Sequence, residues 1–168
     1  MPQSRKSPVK AAKSAPKKTR AAKAPAFELP GLQGKVSLEK LKGKKVVLYF
    51  YPKDDTSGCT KEACGFQKNM GGFKKAGAVV IGVSKDDLDS HKKFAKKYKL
   101  NFNLASDQDL KAAKAYGAWV QKSMYGRKYM GLDRSTFLID ENGNLLREWR
   151  KVKVPGHAEE VLKTAKAL

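Results

Sequence analysis

The sequence predicts an α/β fold: a sandwich with a mixed central sheet and helices on both faces, preceded by a disordered basic tail. Three observations predict it. Two continuous apolar runs, KVVLYFYP (45–52) and AVVIGVS (78–84), are rich in β-branched and aromatic residues and read as fully buried strands. Segments with apolar residues at helical spacing alternate with the strands, the mark of parallel crossovers. Near the end, STFLID and LLREWRKV flank Glu141-Asn142-Gly143-Asn144, a strong hairpin signal.

Residues 1–25 are built from Ala, Lys, Pro and Ser, with one Val, no Leu, Ile or aromatic residue, and no apolar period. Such a segment cannot bury enough surface to offset its chain entropy, so it reads as disordered, with the folded domain running from near Phe27 to residue 168. The tail carries Arg5, Lys6, Lys10, Lys13, Lys17, Lys18, Arg20 and Lys23 and no acid. Three readings stay open for it: a nucleic-acid-binding arm like the Lys-Ala-Pro tails of histone-like proteins, a solubilising extension, or an organelle transit peptide. The preference for Lys over Arg weakens the last.

Along the domain, FELPGLQGKVSLEKLKGK reads as short strands and turns punctuated by Pro30, Gly31, Gly34 and Gly43. The strand Val46–Tyr51 is ended by Pro52. TKEACGFQKNMGGF follows as a helix, with Ala63, Phe66, Gln67 and Met70 at helical spacing and Gly71-Gly72 as its stop. LDSHKKFAKKYKL is an amphipathic helix with Leu88, Phe94, Ala95 and Tyr98 on its apolar side. FNLASD is a short strand, DLKAAKAYGA a helix, the next stretch a loop, and GHAEEVLKTAKAL the closing helix.

Composition narrows the function. Lys plus Arg is 36 against 16 Asp plus Glu, a net charge of +20, of which the tail holds eight and residues 26–168 the remaining twelve. A surface this basic attracts polyanions through phosphate neutralisation and counterion release. No apolar run approaches the roughly 18 residues that a membrane-spanning helix needs, and no apolar core of a secretory signal is present at the start. Two cysteines are too few for a stapled scaffold. A reducing, cytoplasmic setting is expected, with a nucleoid, nucleus or organelle as the alternatives. In such a setting two neighbouring cysteines are more often catalytic or metal-binding than structural.

Those cysteines, Cys59 and Cys64, lie in YPKDDTSGCTKEAC (51–64). The turn after a central strand faces the carboxyl edge of the sheet, where ligand sites of open α/β folds sit. Cys59 falls at the start of the following helix, where unpaired N–H groups and the positive dipole end favour an anionic sulfur. Thr56 can offer a hydroxyl to an incoming oxygen, Gly58 permits close approach of backbone, and Pro52 fixes the turn. Positions i and i+5 of an intact helix are about 140° apart with Cα atoms about 8.6 Å apart, whereas a disulfide needs less than about 7 Å. The two thiols therefore either never pair or pair only after the first helical turns unwind. A zinc site would need four ligands, and only His91 and His157 remain; both read as solvated residues, so no metal is expected. Trp149 reads as core or sheet-face packing, and Arg134 taken alone as a surface ion-pairing residue.

The stretch resembles the peroxiredoxins. Their P-x-x-x-T-x-x-C signature stands here as Pro52-Lys53-Asp54-Asp55-Thr56-Ser57-Gly58-Cys59, and a second cysteine five residues on is similar to the bacterioferritin comigratory protein, or peroxiredoxin Q, class. The likeness extends through VIGVSKDDLDSHKKFAKKY, DRSTFLIDENGN and WRKVKVPGHAEEVL, covering most of residues 27–168. Ser57 stands where this class usually has proline, which removes no catalytic group. The resemblance implies a thioredoxin-like fold and a thiol peroxidase for hydrogen peroxide and organic hydroperoxides. It implies Cys59 as peroxidatic nucleophile, Thr56 and Arg134 as partners of the peroxide, and Pro52 as shield. Cys64 would resolve the oxidised sulfur as an intramolecular disulfide, and thioredoxin or a similar dithiol would recycle it. It further implies a monomer without metal, haem or flavin. The competing class is a thioredoxin-fold module whose task is to coat or protect nucleic acid through its charge.

Overall fold

The computed structural model describes residues 17–168. Its centre is a six-stranded sheet. Strand β1 (Lys17–Lys23) lies at one edge, followed in the chain by the short pair β2 (Glu28–Leu29) and β3 (Val36–Ser37) and the central strand β4 (Lys45–Phe50). Helices α1 (Ser57–Lys68) and α2 (Met70–Lys75) lead to β5 (Ala78–Ser84), α3 (Leu88–Tyr98), β6 (Asn103–Ser106) and α4 (Lys111–Ala115). The hairpin β7 (Trp119–Met124) and β8 (Arg127–Leu132) precedes β9 (Ser135–Ile139), β10 (Asn144–Trp149) and α5 (His157–Ala167). The sheet order is β1-β10-β9-β4-β5-β6. Strand β4 pairs in parallel with β5 and antiparallel with β9, so the sheet is mixed, as expected.

The side-chain period of two divides β4 between two cores. Val47, Tyr49 and Tyr51 join Ala63 and Phe66 of α1, Phe73 of α2, Phe94 of α3 and Val161 of α5. Val46, Leu48 and Phe50 face the other way, toward Ala112 and Ala113 of α4 and Phe27, Leu29 and Val36 from the start of the domain. Residues Val46–Tyr51 are at most 1% exposed, and each large apolar side chain so buried contributes about 1.5–3 kcal/mol. That burial on both faces is why the run reads as unbroken apolar sequence.

Four expectations need correction. The composition of the tail predicts an unstructured segment through residue 25. Residues 1–16 lie outside the described residues, but Lys17–Lys23 pair with Asn144–Trp149 as an edge strand, Ala24 is buried, and Pro25 accepts the Tyr116 hydroxyl at 2.7 Å. Edge strands tolerate Lys and Arg, so charge alone does not exclude pairing. Second, Gly71-Gly72 do not stop the helix; the break falls at Asn69, and both glycines lie within α2. A Cβ on Gly72 would meet Leu162 Cδ2 at 2.7 Å, so glycine there lets α2 approach α5.

Third, the loop expected after α4 is the β7–β8 hairpin. Its turn, Tyr125-Gly126, has positive φ at both residues, 52° and 80°, the requirement of a tight type I′ connection. Fourth, His91 and His157 are not solvated: they are 0% and 3% exposed. His91 shares the i, i+3, i+4, i+7 stripe of Phe94, Ala95 and Tyr98, which the flanking lysines disguise. His157 packs edge-on to Phe66 and Trp149.

Candidate active site

The antiparallel register of β4 and β9 creates the site. Phe50, the last residue of β4, is paired with Ser135, the first of β9. The loop that follows β4 therefore lies beside the residue that precedes β9, which is Arg134. That pairing brings positions 75 apart in sequence into contact. The Arg134 backbone is fixed in turn, its carbonyl accepting from Val152 N at 2.9 Å.

Cys59 sits in the first turn of α1, 1% exposed. Arg134 Nη1 donates to its Sγ at 3.4 Å and to Glu62 Oε1 at 2.8 Å. Gly58 makes this possible, since a Cβ there would stand 3.0 Å from Arg134 Nη2. The sulfur thus faces both the positive end of a helix and a guanidinium donor, a setting that stabilises negative charge developing on an oxygen bonded to it.

Glu62, three residues on and therefore on the same helix face as Cys59, carries no mark in the sequence that sets it apart from a solvated helix residue. It is 2% exposed, and its Oε2 has no hydrogen-bond partner among the described residues. Burial pushes its carboxyl up to about 7, with Arg134 pulling the other way. Burial also works against the charge of Arg134, but Glu62 and Cys59 more than offset it and hold the guanidinium above its ordinary value. Lys122 of β7 is half-buried and lies in the same field; burial lowers its ammonium, opposed by Asp133 and assisted by Arg134. Its spacing in a polar hairpin gave no signal.

Thr56 is the N-cap of α1; its hydroxyl donates to Lys53 O at 2.9 Å, leaving the oxygen's lone pairs to accept from a ligand. Pro52 is half-buried at the end of β4. Cys64 is half-buried, unbonded, and on the same unbroken helix as Cys59. The structure thus brings Cys59 and Arg134 into contact and leaves Cys64 beyond disulfide reach while α1 is whole. Gly65, beside Cys64, has a packing role as well: its Cβ position lies 3.4 Å from Ala158 of α5. Among the described residues, no cluster of three or more His, Cys, Asp or Glu could hold a metal, and no helix is long and apolar enough to cross a membrane.

A model of the AhpC/TSA family matches residues 21–147. Peroxiredoxin Bcp of Bacillus subtilis is 51% identical over 145 residues, spanning 86% of this chain and 92% of its own. Peroxiredoxin Bcp of Escherichia coli is 42% identical over 140 residues, spanning 83% and 90%. Among solved structures, the bacterioferritin comigratory protein of Xanthomonas campestris, studied for its alkyl peroxide reduction activity, superposes with a TM-score of 0.80. It is 42% identical, over 84% of this chain and 90% of that one. The likeness bears out the thioredoxin-like fold that the signature implied.

Proposed function

The chain belongs to the AhpC/TSA family, within its Bcp/peroxiredoxin Q group, and is a thiol-dependent peroxidase; from that premise we propose that Cys59 is the peroxidatic nucleophile. The observation that carries this assignment is the Arg134 donor aimed at Sγ at the start of α1. In the first step the Cys59 sulfur attacks the terminal oxygen of ROOH. The O–O bond breaks, Cys59 becomes a sulfenic acid, and the leaving alkoxide takes a proton to become ROH. Arg134 stabilises charge on the sulfur before attack and on the departing oxygen during it. Thr56 accepts from or orients the peroxide, and Pro52 shields the pocket. Hydrogen peroxide and organic hydroperoxides are both substrates in this reading, the latter in keeping with the Xanthomonas relative.

In the second step Cys64 attacks the Cys59 sulfenic sulfur, forming a disulfide and releasing water. The helix that holds the thiols apart must unwind first. Thioredoxin or another dithiol then reduces the disulfide, itself becoming oxidised. The assignment is tested by peroxide consumption with thioredoxin, thioredoxin reductase and NADPH: turnover disappears in Cys59→Ser, and Cys64→Ser reacts once and stalls. A Cys59→Ser variant that still turned over would move the nucleophile elsewhere.

The charge supports a second property of the same molecule. The net +20 includes eight cations and no acid in residues 1–25. The N-terminal segment serves as an arm that associates the peroxidase with nucleic acid, giving protection where peroxide damage would fall. A cytoplasmic setting, or one associated with a nucleoid or nucleus, is consistent with that reading.

A further inference from the structure

The loop in front of Cys59 is tied to α3 by a buried network that the peroxide chemistry does not use. His91, fully buried, places Nδ1 2.7 Å from Asp54 Oδ2 and Nε2 2.9 Å from the carbonyl oxygen of Ala105. A carbonyl only accepts, so Nε2 donates to Ala105, and a second proton, shared between Nδ1 and the Asp54 carboxyl, makes the other bond. Asp54 is also met by the hydroxyls of Tyr51 on Oδ1 at 2.5 Å and Ser90 on Oδ2 at 2.7 Å. Its own N–H donates to Asp86 Oδ2 at 2.8 Å. The next residue, Asp55, has a left-handed backbone with φ 59°, and its carboxylate accepts from Lys97 at 2.9 Å and Tyr98 at 2.8 Å, both on α3. Two consecutive loop residues are thus held by α3. Downstream, α1 packs against α5, where Gly65 approaches Ala158.

We propose that His91 and Asp54 are positioning residues: they clamp the Pro52–Thr56 loop in the geometry that receives peroxide and confine unwinding to α1 beyond Thr56. The inference rests on the reading in which Cys59 is oxidised and Cys64 closes the disulfide. It gives the two steps opposite dependence on the clamp. A loosened loop spends less time with Thr56, Cys59 and Arg134 aligned, so the peroxide step slows. The same loosening favours the unwound helix, so disulfide closure quickens. A residue serving stability alone moves neither rate, or moves both the same way.

The test uses the full reduced chain mixed with one equivalent of hydrogen peroxide, quenched at intervals and read by intact mass for reduced, sulfenic and disulfide forms. Gln at 91 can place its amide nitrogen near Nε2 and keep the Ala105 bond while losing Asp54; Asn can place it near Nδ1 and keep Asp54. His91→Gln is expected to slow the peroxide step about tenfold or more, the weight of one charge-assisted hydrogen bond, and to speed disulfide closure. His91→Asn recovers most of both changes. Ser90→Ala, a milder change at the edge of the network, moves both rates the same way as His91→Gln by a few-fold, since one donor of three is lost. An active wild type whose two rates are unaltered in His91→Gln and Ser90→Ala, or fall together, overturns the clamp alone. A wild type that leaves peroxide untouched overturns the peroxidase reading and the clamp with it.

Discussion

Arg134 donates to the sulfur of Cys59 at 3.4 Å across 75 residues of sequence, and the same nitrogen donates to Glu62 at 2.8 Å. One guanidinium therefore bridges the thiol and a buried carboxyl.

Arg134→Ala removes a charge-assisted donor from the reacting sulfur, and the second-order rate constant with hydrogen peroxide should fall about a hundredfold or more, the scale of a lost transition-state donor. Arg134→Lys keeps the charge but not the planar fork that reaches Cys59 and Glu62 together, so it should restore only part of the loss. Stopped-flow peroxide kinetics measure both.

Gly58→Ala separates activity from stability. Alanine gains up to about 1 kcal/mol of helix propensity over glycine, yet its Cβ would crowd Arg134 Nη2 at 3.0 Å. The variant should unfold at an equal or higher urea concentration than wild type while reacting more slowly with peroxide. A loss of stability without loss of rate would refute the role given to Gly58.

Glu62 sets a pH dependence of stability. Its folded-state carboxyl lies at about 7, raised by burial from an ordinary 4.5. Between those values the folded protein holds more proton than the unfolded chain, so the contribution is complete below about pH 4.5 and is lost as pH rises through about 7. Relative to Glu62→Gln, wild type should lose about 3 kcal/mol over that window. His157, lowered to about 4 chiefly by burial, acts in the opposite sense, losing stability as pH falls from 6.5; being present in both proteins, it cancels in the difference. Urea denaturation across pH gives the comparison.

The sequence is legible where one physical requirement dominates. Strands β4 and β5 are buried on both faces and so read as unbroken apolar runs, and α3 reads from its stripe. The signature from Pro52 to Cys59 is local and survives intact. What resists reading is set by tertiary pairing. The Cys59–Arg134 contact depends on the register of Phe50 with Ser135. The buried state of Glu62 depends on Arg134 arriving from that strand. The β7–β8 hairpin is mostly polar or exposed on both faces, so no period betrays it, and its Tyr125-Gly126 turn lacks the Asn-Gly or Asp-Gly pair that marks the 141–144 turn. Residues 17–23 pair at the sheet edge with almost no apolar content, because backbone hydrogen bonds do not depend on it.

The basic arm has a test that respects the edge strand. Deleting residues 1–16 removes Arg5, Lys6, Lys10 and Lys13 but leaves β1 whole. If each contacts a phosphate, the slope of log affinity for duplex DNA against log salt should become shallower by up to about 3.6. An unchanged affinity and slope would leave the arm without that role.

Intact and peptide mass after one equivalent of peroxide reveals whether Cys59, under Arg134, is the sulfur that peroxide oxidises and Cys64 the one that resolves it. Cys64→Ser should be heavier by one oxygen, located on Cys59, and wild type lighter by two hydrogens, with Cys59 and Cys64 linked. An oxygen found on Cys64 in Cys59→Ser, formed as fast as in the partner variant, would contradict that assignment.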